Sequence, residues 1–112
     1  MKSIKPIVVT MGEPSGISSE IIIKIWKKRK ILGIPPFILV DDLQKLKKIN
    51  NTFSYNVNFH RLDKKDDVLK IFTNSIPIID LKCKINLRLG NQDIRNSKFV
   101  IKSIDKAFEL VY

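Results

Sequence analysis

Strand-like and helix-like segments alternate along this chain, and that order predicts an α/β fold, a mainly parallel sheet with helices on its faces. Three observations carry the prediction. Two short runs, Ile7-Val8-Val9 and Phe37-Ile38-Leu39-Val40, have the unbroken hydrophobicity of strands buried on both faces. Helix-period apolar rows follow each of them. Glycine and proline gather between the segments, at Gly12–Gly16 and at Gly33-Ile34-Pro35-Pro36.

The elements follow in order. Ile4 to Thr10 reads as a strand. The turn-rich string Met11-Gly12-Glu13-Pro14-Ser15-Gly16-Ile17-Ser18 leads into a helix from about Ser19 to Leu32. Ile21, Ile22, Ile25 and Trp26 form its apolar stripe, and Gly33 is its left-handed stop. After the strand Phe37–Val40, Asp41-Asp42 opens a second helix, with Leu43, Leu46 and Ile49 on one face and Lys45, Lys47 and Lys48 on the other. Asn50 to Ser54 reads as a loop. Tyr55 to Leu62 alternates apolar and polar residues, the pattern of a half-exposed strand. A short helix over Asp66–Phe72, a strand over Ile76–Leu81, a loop with Gly90 and a long helix over Ile94–Val111 complete the order.

A length of 112 residues with 44% apolar content suits one core and one domain, residues 1–112. A single Cys (Cys83) excludes a disulfide scaffold, and one Cys with one His (His60) is too few for a structural zinc site. His60 reads as a surface or packing residue, Cys83 as a passive thiol and Trp26 as core. The apolar run at Ile7 is too short for a signal peptide, and none approaches a membrane span, so the expectation is a cytoplasmic protein with no membrane partner.

The net charge of +10 raises a nucleic-acid reading. Against it, the 17 lysines far outnumber the 4 arginines and are scattered, whereas base and bidentate phosphate recognition favours Arg's planar fork. The enrichment of Lys, Ile and Asn together matches the coding bias of an AT-rich genome. The dense run Lys27-Lys28-Arg29-Lys30 falls at a helix end, where positive charge offsets the dipole. Nucleic acid is therefore the lesser expectation, and a basic α/β module for nucleic acid or phosphorylated ligands stands as the alternative reading.

A parallel sheet carries ligands beyond the carboxyl ends of its strands, which directs attention to the loop after the first strand. No Lys follows Gly16, which excludes a Walker loop, and the four-residue spacing of Gly12 and Gly16 lacks a dinucleotide fingerprint's Gly-x-Gly start. Two readings remain. The segment is either a plain turn, or a set of backbone N–H groups around Gly16 and the helix start that receive an anion, with Glu13 an exposed carboxylate beside them.

As a whole, Val9-Thr10-Met11-Gly12-Glu13-Pro14-Ser15-Gly16-Ile17-Ser18-Ser19-Glu20-Ile21 resembles the N-terminal signature of the 4-hydroxythreonine-4-phosphate dehydrogenase family, Thr-x-Gly-Glu-Pro-Ala/Ser-Gly-Ile-Gly-Pro-Glu. Gly12, Glu13, Pro14, Ser15, Gly16, Ile17 and Glu20 match, and Ser18-Ser19 replaces Gly-Pro. Ser18 is a better N-cap than Gly, so the helix still starts there. Gly90 and Asn96-Ser97-Lys98-Phe99 to Ala107 are similar to a later family segment, a Gly followed by an Asn-Gly/Ala-x-Tyr/Phe helix opening.

The resemblance implies a truncated fold of the isocitrate/isopropylmalate dehydrogenase kind and a homodimeric enzyme of pyridoxal 5′-phosphate synthesis. That enzyme uses NAD(P) and a divalent metal to oxidise a small phosphorylated substrate. It implies ligand-binding roles for Gly12, Glu13 and Gly16. The family's metal histidines and its substrate-holding residues lie further along than Tyr112, so the expectation is an N-terminal portion with no catalytic or metal residue of its own, inactive alone. A relic with bare apolar faces and an open strand edge is a third expectation.

Overall fold

A computed structural model describes residues 6–10, 12, 18–82 and 97–111. The expectations for Ile4 and Lys5, for Glu13 and Gly16, for Cys83 and Gly90, and for a helix start at Ile94 lie outside the described residues. Four strands, β1 (Ile7–Thr10), β2 (Phe37–Asp41), β3 (Phe59–Arg61) and β4 (Ile76–Asp80), form one sheet in the order β1-β2-β4-β3. Every pairing is parallel, with Ile7 opposite Phe37 at one end and Asp41 opposite Asp80 at the other.

The helices are α1 (Ser18–Lys27), the single turn α2 (Arg29–Leu32), α3 (Leu43–Phe53), α4 (Val68–Phe72) and α5 (Ser97–Val111). Alternation along each strand divides the apolar side chains between two faces. Phe37, Leu39, Ile76 and Ile78 meet Ile23 and Trp26 of α1, Leu46 and Ile49 of α3 and Phe72 of α4 in the larger core. On the other face Val40, with Leu81 just past β4, packs against Phe99, Val100 and Ala107 of α5. The mainly parallel α/β expectation holds. No described helix is long and apolar enough to cross a membrane.

Four boundaries depart from the sequence reading. The first helix is not continuous, because the Lys28 N–H is shared between the carbonyls of Lys24 (3.2 Å) and Ile25 (3.1 Å), a tightening typical of helix ends. The chain restarts as α2 and stops at Gly33, whose φ of 64° and ψ of 36° are the expected left-handed cap. Within α1 the buried residues are Ile23 and Trp26, while Ile21 faces solvent.

The helix α3 continues through the expected loop to Phe53, capped by Ser54 at φ 53°. Asn50 explains the extension. Its side chain donates to the Val57 carbonyl (3.2 Å) and accepts from the Val57 N–H (3.1 Å), a tertiary bracket that outweighs Asn's weak helix propensity. The expected strand Tyr55–Leu62 narrows to Phe59–Arg61, since Asn56 at φ 57° cannot sit in an extended ladder. Finally, Lys45 belongs to the buried side of α3. It is 4% exposed and ion-paired, not on a polar face with Lys47 and Lys48.

Candidate functional site

The carboxyl ends of β1, β2 and β4 lie side by side, and the chain leaves each of them in a different way. After β1 it passes Gly12 and re-enters regular structure at Ser18, the first residue of α1. Gly12 is half-buried, and a Cβ built on it would lie 2.7 Å from the Ser18 Cβ and collide with the Ser18 hydroxyl. A side chain at position 18 is thus accommodated because position 12 has none. The two ends of the loop touch, and Gly12 is required for close approach. Of the three residues expected to meet a ligand, Gly12 is the one within the described part. Glu13 and Gly16 lie outside it.

After β2 the chain turns at Asp41-Asp42, both 2% exposed. Asp42 caps α3 by accepting the Lys45 N–H at 2.8 Å. Asp41, the last residue of β2, accepts the Asp42 N–H at 2.7 Å and the Lys45 ammonium at 2.6 Å. Burial pushes the Asp41 carboxyl above its ordinary range, and the Lys45 charge opposes but does not cancel that shift. Beyond β4, Asp80 accepts from the Leu43 N–H (3.2 Å) and the Lys82 N–H (3.0 Å), which ties the exits of β2 and β4 together. Three aspartates therefore fix the floor next to the β1 exit. Each is engaged with backbone N–H groups, and Asp41 also with Lys45, so their shown role is to hold the turn geometry.

The buried Asp41–Lys45 pair was not found from sequence. Four-residue spacing was the available signal, but a charge at a strand end followed by a lysine-rich helix reads as solvent-facing.

His60 lies away from this edge. Its Nε2 is 3.1 Å from Asp66 Oδ2, which also accepts the Asp63 N–H at 2.8 Å. That N–H bond and then His60 hold the Asp66 carboxyl below its usual range. An open cleft of about 390 Å³ passes His60, Lys65, Asp66 and Lys70. Among the described residues no three His, Cys, Asp or Glu side chains come together as a metal-holding group.

The basic run serves packing. Arg29 stacks 3.7 Å from the Trp26 ring and donates to the carbonyls of Trp26 and Thr73, and Lys27 donates to the Tyr55 carbonyl. Trp26 is core, as expected, and its Nε1 donates to the Phe72 carbonyl at 3.1 Å.

A parallel sheet with helices on both faces, and a glycine turn leading from an edge strand into a helix, define the class as doubly wound α/β. Comparison with known proteins gives the relationship. The chain is 30% identical over 109 residues to the 4-hydroxythreonine-4-phosphate dehydrogenase of Methylorubrum populi, covering 96% of this chain and 31% of that protein. It is 25% identical over 107 residues to the enzyme of the same name from Zymomonas mobilis, covering 96% of this chain and 30% of that one. The crystal structure of a 4-hydroxythreonine-4-phosphate dehydrogenase from Burkholderia phymatum superposes with a TM-score of 0.80 at 18% identity, over 97% of this chain and 33% of that chain. No family model matches. By sequence this chain is a relative of the 4-hydroxythreonine-4-phosphate dehydrogenases, and by fold it agrees with them. It spans about a third of the length of the curated relatives it matches.

Proposed function

We propose that this chain is the N-terminal part of a 4-hydroxythreonine-4-phosphate dehydrogenase, an oxidoreductase of pyridoxal 5′-phosphate synthesis, and that it supplies part of a ligand-binding edge but does not catalyse alone. The observation that carries the reading is Gly12 closed against Ser18 at the carboxyl end of β1. The match Gly12-Glu13-Pro14-Ser15-Gly16-Ile17 falls at this turn, where a parallel sheet receives ligands. In this reading Gly12, Glu13 and Gly16 face a phosphate-bearing ligand, NAD(P) or the phosphorylated substrate, with backbone N–H groups at the start of α1 as donors.

Oxidation of a secondary alcohol in this enzyme class draws on a divalent metal and a placed base. The described residues do not fit a metal by themselves, since they bring no suitable group together, and no step through one is assigned to them. The metal ligands, the base, a homodimeric assembly and a cytoplasmic setting belong to the proposed complete enzyme.

The test is a chimera. The region of the Methylorubrum populi enzyme aligned with this chain is replaced by residues 1–112, and NAD(P)⁺ reduction is followed with 4-hydroxythreonine 4-phosphate and a divalent metal. The chimera is expected to turn over and the isolated chain to be inert. A folded chimera without activity, beside an active parent, rejects the reading.

A further inference from the structure

The two edges of the sheet are built differently. The β3 edge is three residues long and carries His60 and Arg61, the short and charged form that discourages further pairing. The β1 edge is Ile7-Val8-Val9-Thr10, apolar and unblunted, with Ile7 52% exposed although it lies in register with buried Phe37.

The helix layer on one face is open as well. The α5 helix meets the sheet through Val100, Ser103 and Ala107, with the Ser103 hydroxyl donating to the Val40 carbonyl at 2.9 Å. At 3.6 residues per turn, Ile101 and Ile104 lie about a third of a turn from that row, on the flank of the helix and not at its outer pole. They are 60% and 52% exposed, while Lys98, Lys102, Asp105 and Glu109 make the polar side. A flank position suits a neighbour lying beside α5 on the same face of the sheet.

One occupant closes both openings: a strand added parallel to β1 together with its helix laid beside α5. Two observations indicate where this unit comes from. The curated relatives are about three times as long as the matched region. A second copy of this chain would bring another +10 charge to the contact, an unfavourable approach for like molecules.

We propose that the β1 edge and the Ile101–Ile104 flank form a docking seam for the polypeptide making up the other two-thirds of a full-length relative. This rests on the reading of the chain as part of such an enzyme.

The experiment reads burial, not activity. In a Cys83→Ser background, Ile104→Cys, Ile101→Cys and, as a polar-side control, Glu109→Cys are introduced into the isolated chain and into the chimera described above, and thiol-labelling rates are compared. The expected result is a fall of about tenfold or more at positions 101 and 104 in the chimera, with under about twofold change at 109. Equal labelling of 101 and 104 in the two proteins overturns the seam, as does an insoluble chimera beside a soluble isolated chain. Protection in the isolated chain that grows with its concentration assigns the seam to a second copy and also overturns the proposal. Protection in a chimera without dehydrogenase activity leaves the seam standing and removes the functional reading. Activity without protection does the reverse.

Discussion

Two single residues near the carboxyl edge bear most of the local geometry. Gly12 has no room for a methyl group because Ser18 fills the space, so Gly12→Ala is expected to cost about 1–3 kcal/mol through overpacking. In a Ser18→Gly background the penalty should shrink to a few tenths, and urea denaturation of the four proteins measures the coupling. Asp41 is the second. Removing its partner by Lys45→Met leaves a buried carboxylate uncompensated, which is expected to destabilise by about 3–5 kcal/mol, whereas Asp41→Ala with Lys45→Leu should be close to neutral. The pH dependence follows from the sign of the shift. Burial raises the Asp41 carboxyl in the fold, so the folded state binds this proton more readily than the unfolded chain. The cost of ionising it appears as the pH rises through the raised value. Lys45→Met should therefore be less destabilising at mildly acidic pH than at neutral pH, and a greater loss in acid would contradict this account.

At the scale of elements, helices are tied to neighbours through single polar contacts on apolar faces. Trp26 links α1 to the end of α4 through its N–H on the Phe72 carbonyl. Trp26→Phe keeps most of the packing but loses that donor, so a loss of about 1–2 kcal/mol is expected in chemical denaturation. The turn before α4 is pinned by Asp66, whose lowered carboxyl stabilises the fold above its ordinary range and ceases to do so as the pH falls through the lowered value. Asp66→Asn should remove that acid-dependent term, and carboxylate NMR titration of the wild-type chain should find Asp66 among the last aspartates to protonate. Much of this level was legible in the sequence. The continuous apolar runs gave β1 and β2, Gly33 marked the left-handed stop, and Asp42 and Asp67 stand at the helix N-caps of α3 and α4. The misreadings have a common physical origin, a polar side chain recruited by a distant backbone or charge. Asn50 reaches Val57 and prolongs α3, Arg29 reaches Thr73, and Lys45 folds under α3 onto Asp41. Periodicity assigns such residues to solvent because it contains no tertiary partner. At the candidate site the motif located the turn at β1, but the Gly12–Ser18 contact needed the fold.

Across the whole molecule the two faces of the sheet differ in how much they bury. One face seals Ile23, Trp26, Phe37, Leu39, Leu46, Ile49, Phe72, Ile76 and Ile78 beneath three helices. On the other, among the described residues, Val40 and Leu81 are the buried members, and Phe99, Val100 and Ala107 of α5 are only partly covered. Opening free energy follows the apolar contact that must be broken. The α5 layer is held by this smaller core, the Ser103–Val40 bond and the Lys102 ammonium on the Leu81 carbonyl (3.3 Å). It should therefore open well before the rest. Native-state hydrogen exchange of the isolated chain is expected to give α5 amides less protection than those of β2, β4 and α3, by about tenfold or more, with α5 opening as one cooperative unit. Ser103→Ala, which withdraws the bond to Val40, should widen the gap by speeding α5 exchange about fivefold to tenfold and leave the β2 and β4 amides nearly unchanged. Equal protection across both faces would mean that the sheet and α5 unfold together, and the unequal division of the core would then not govern the order of opening.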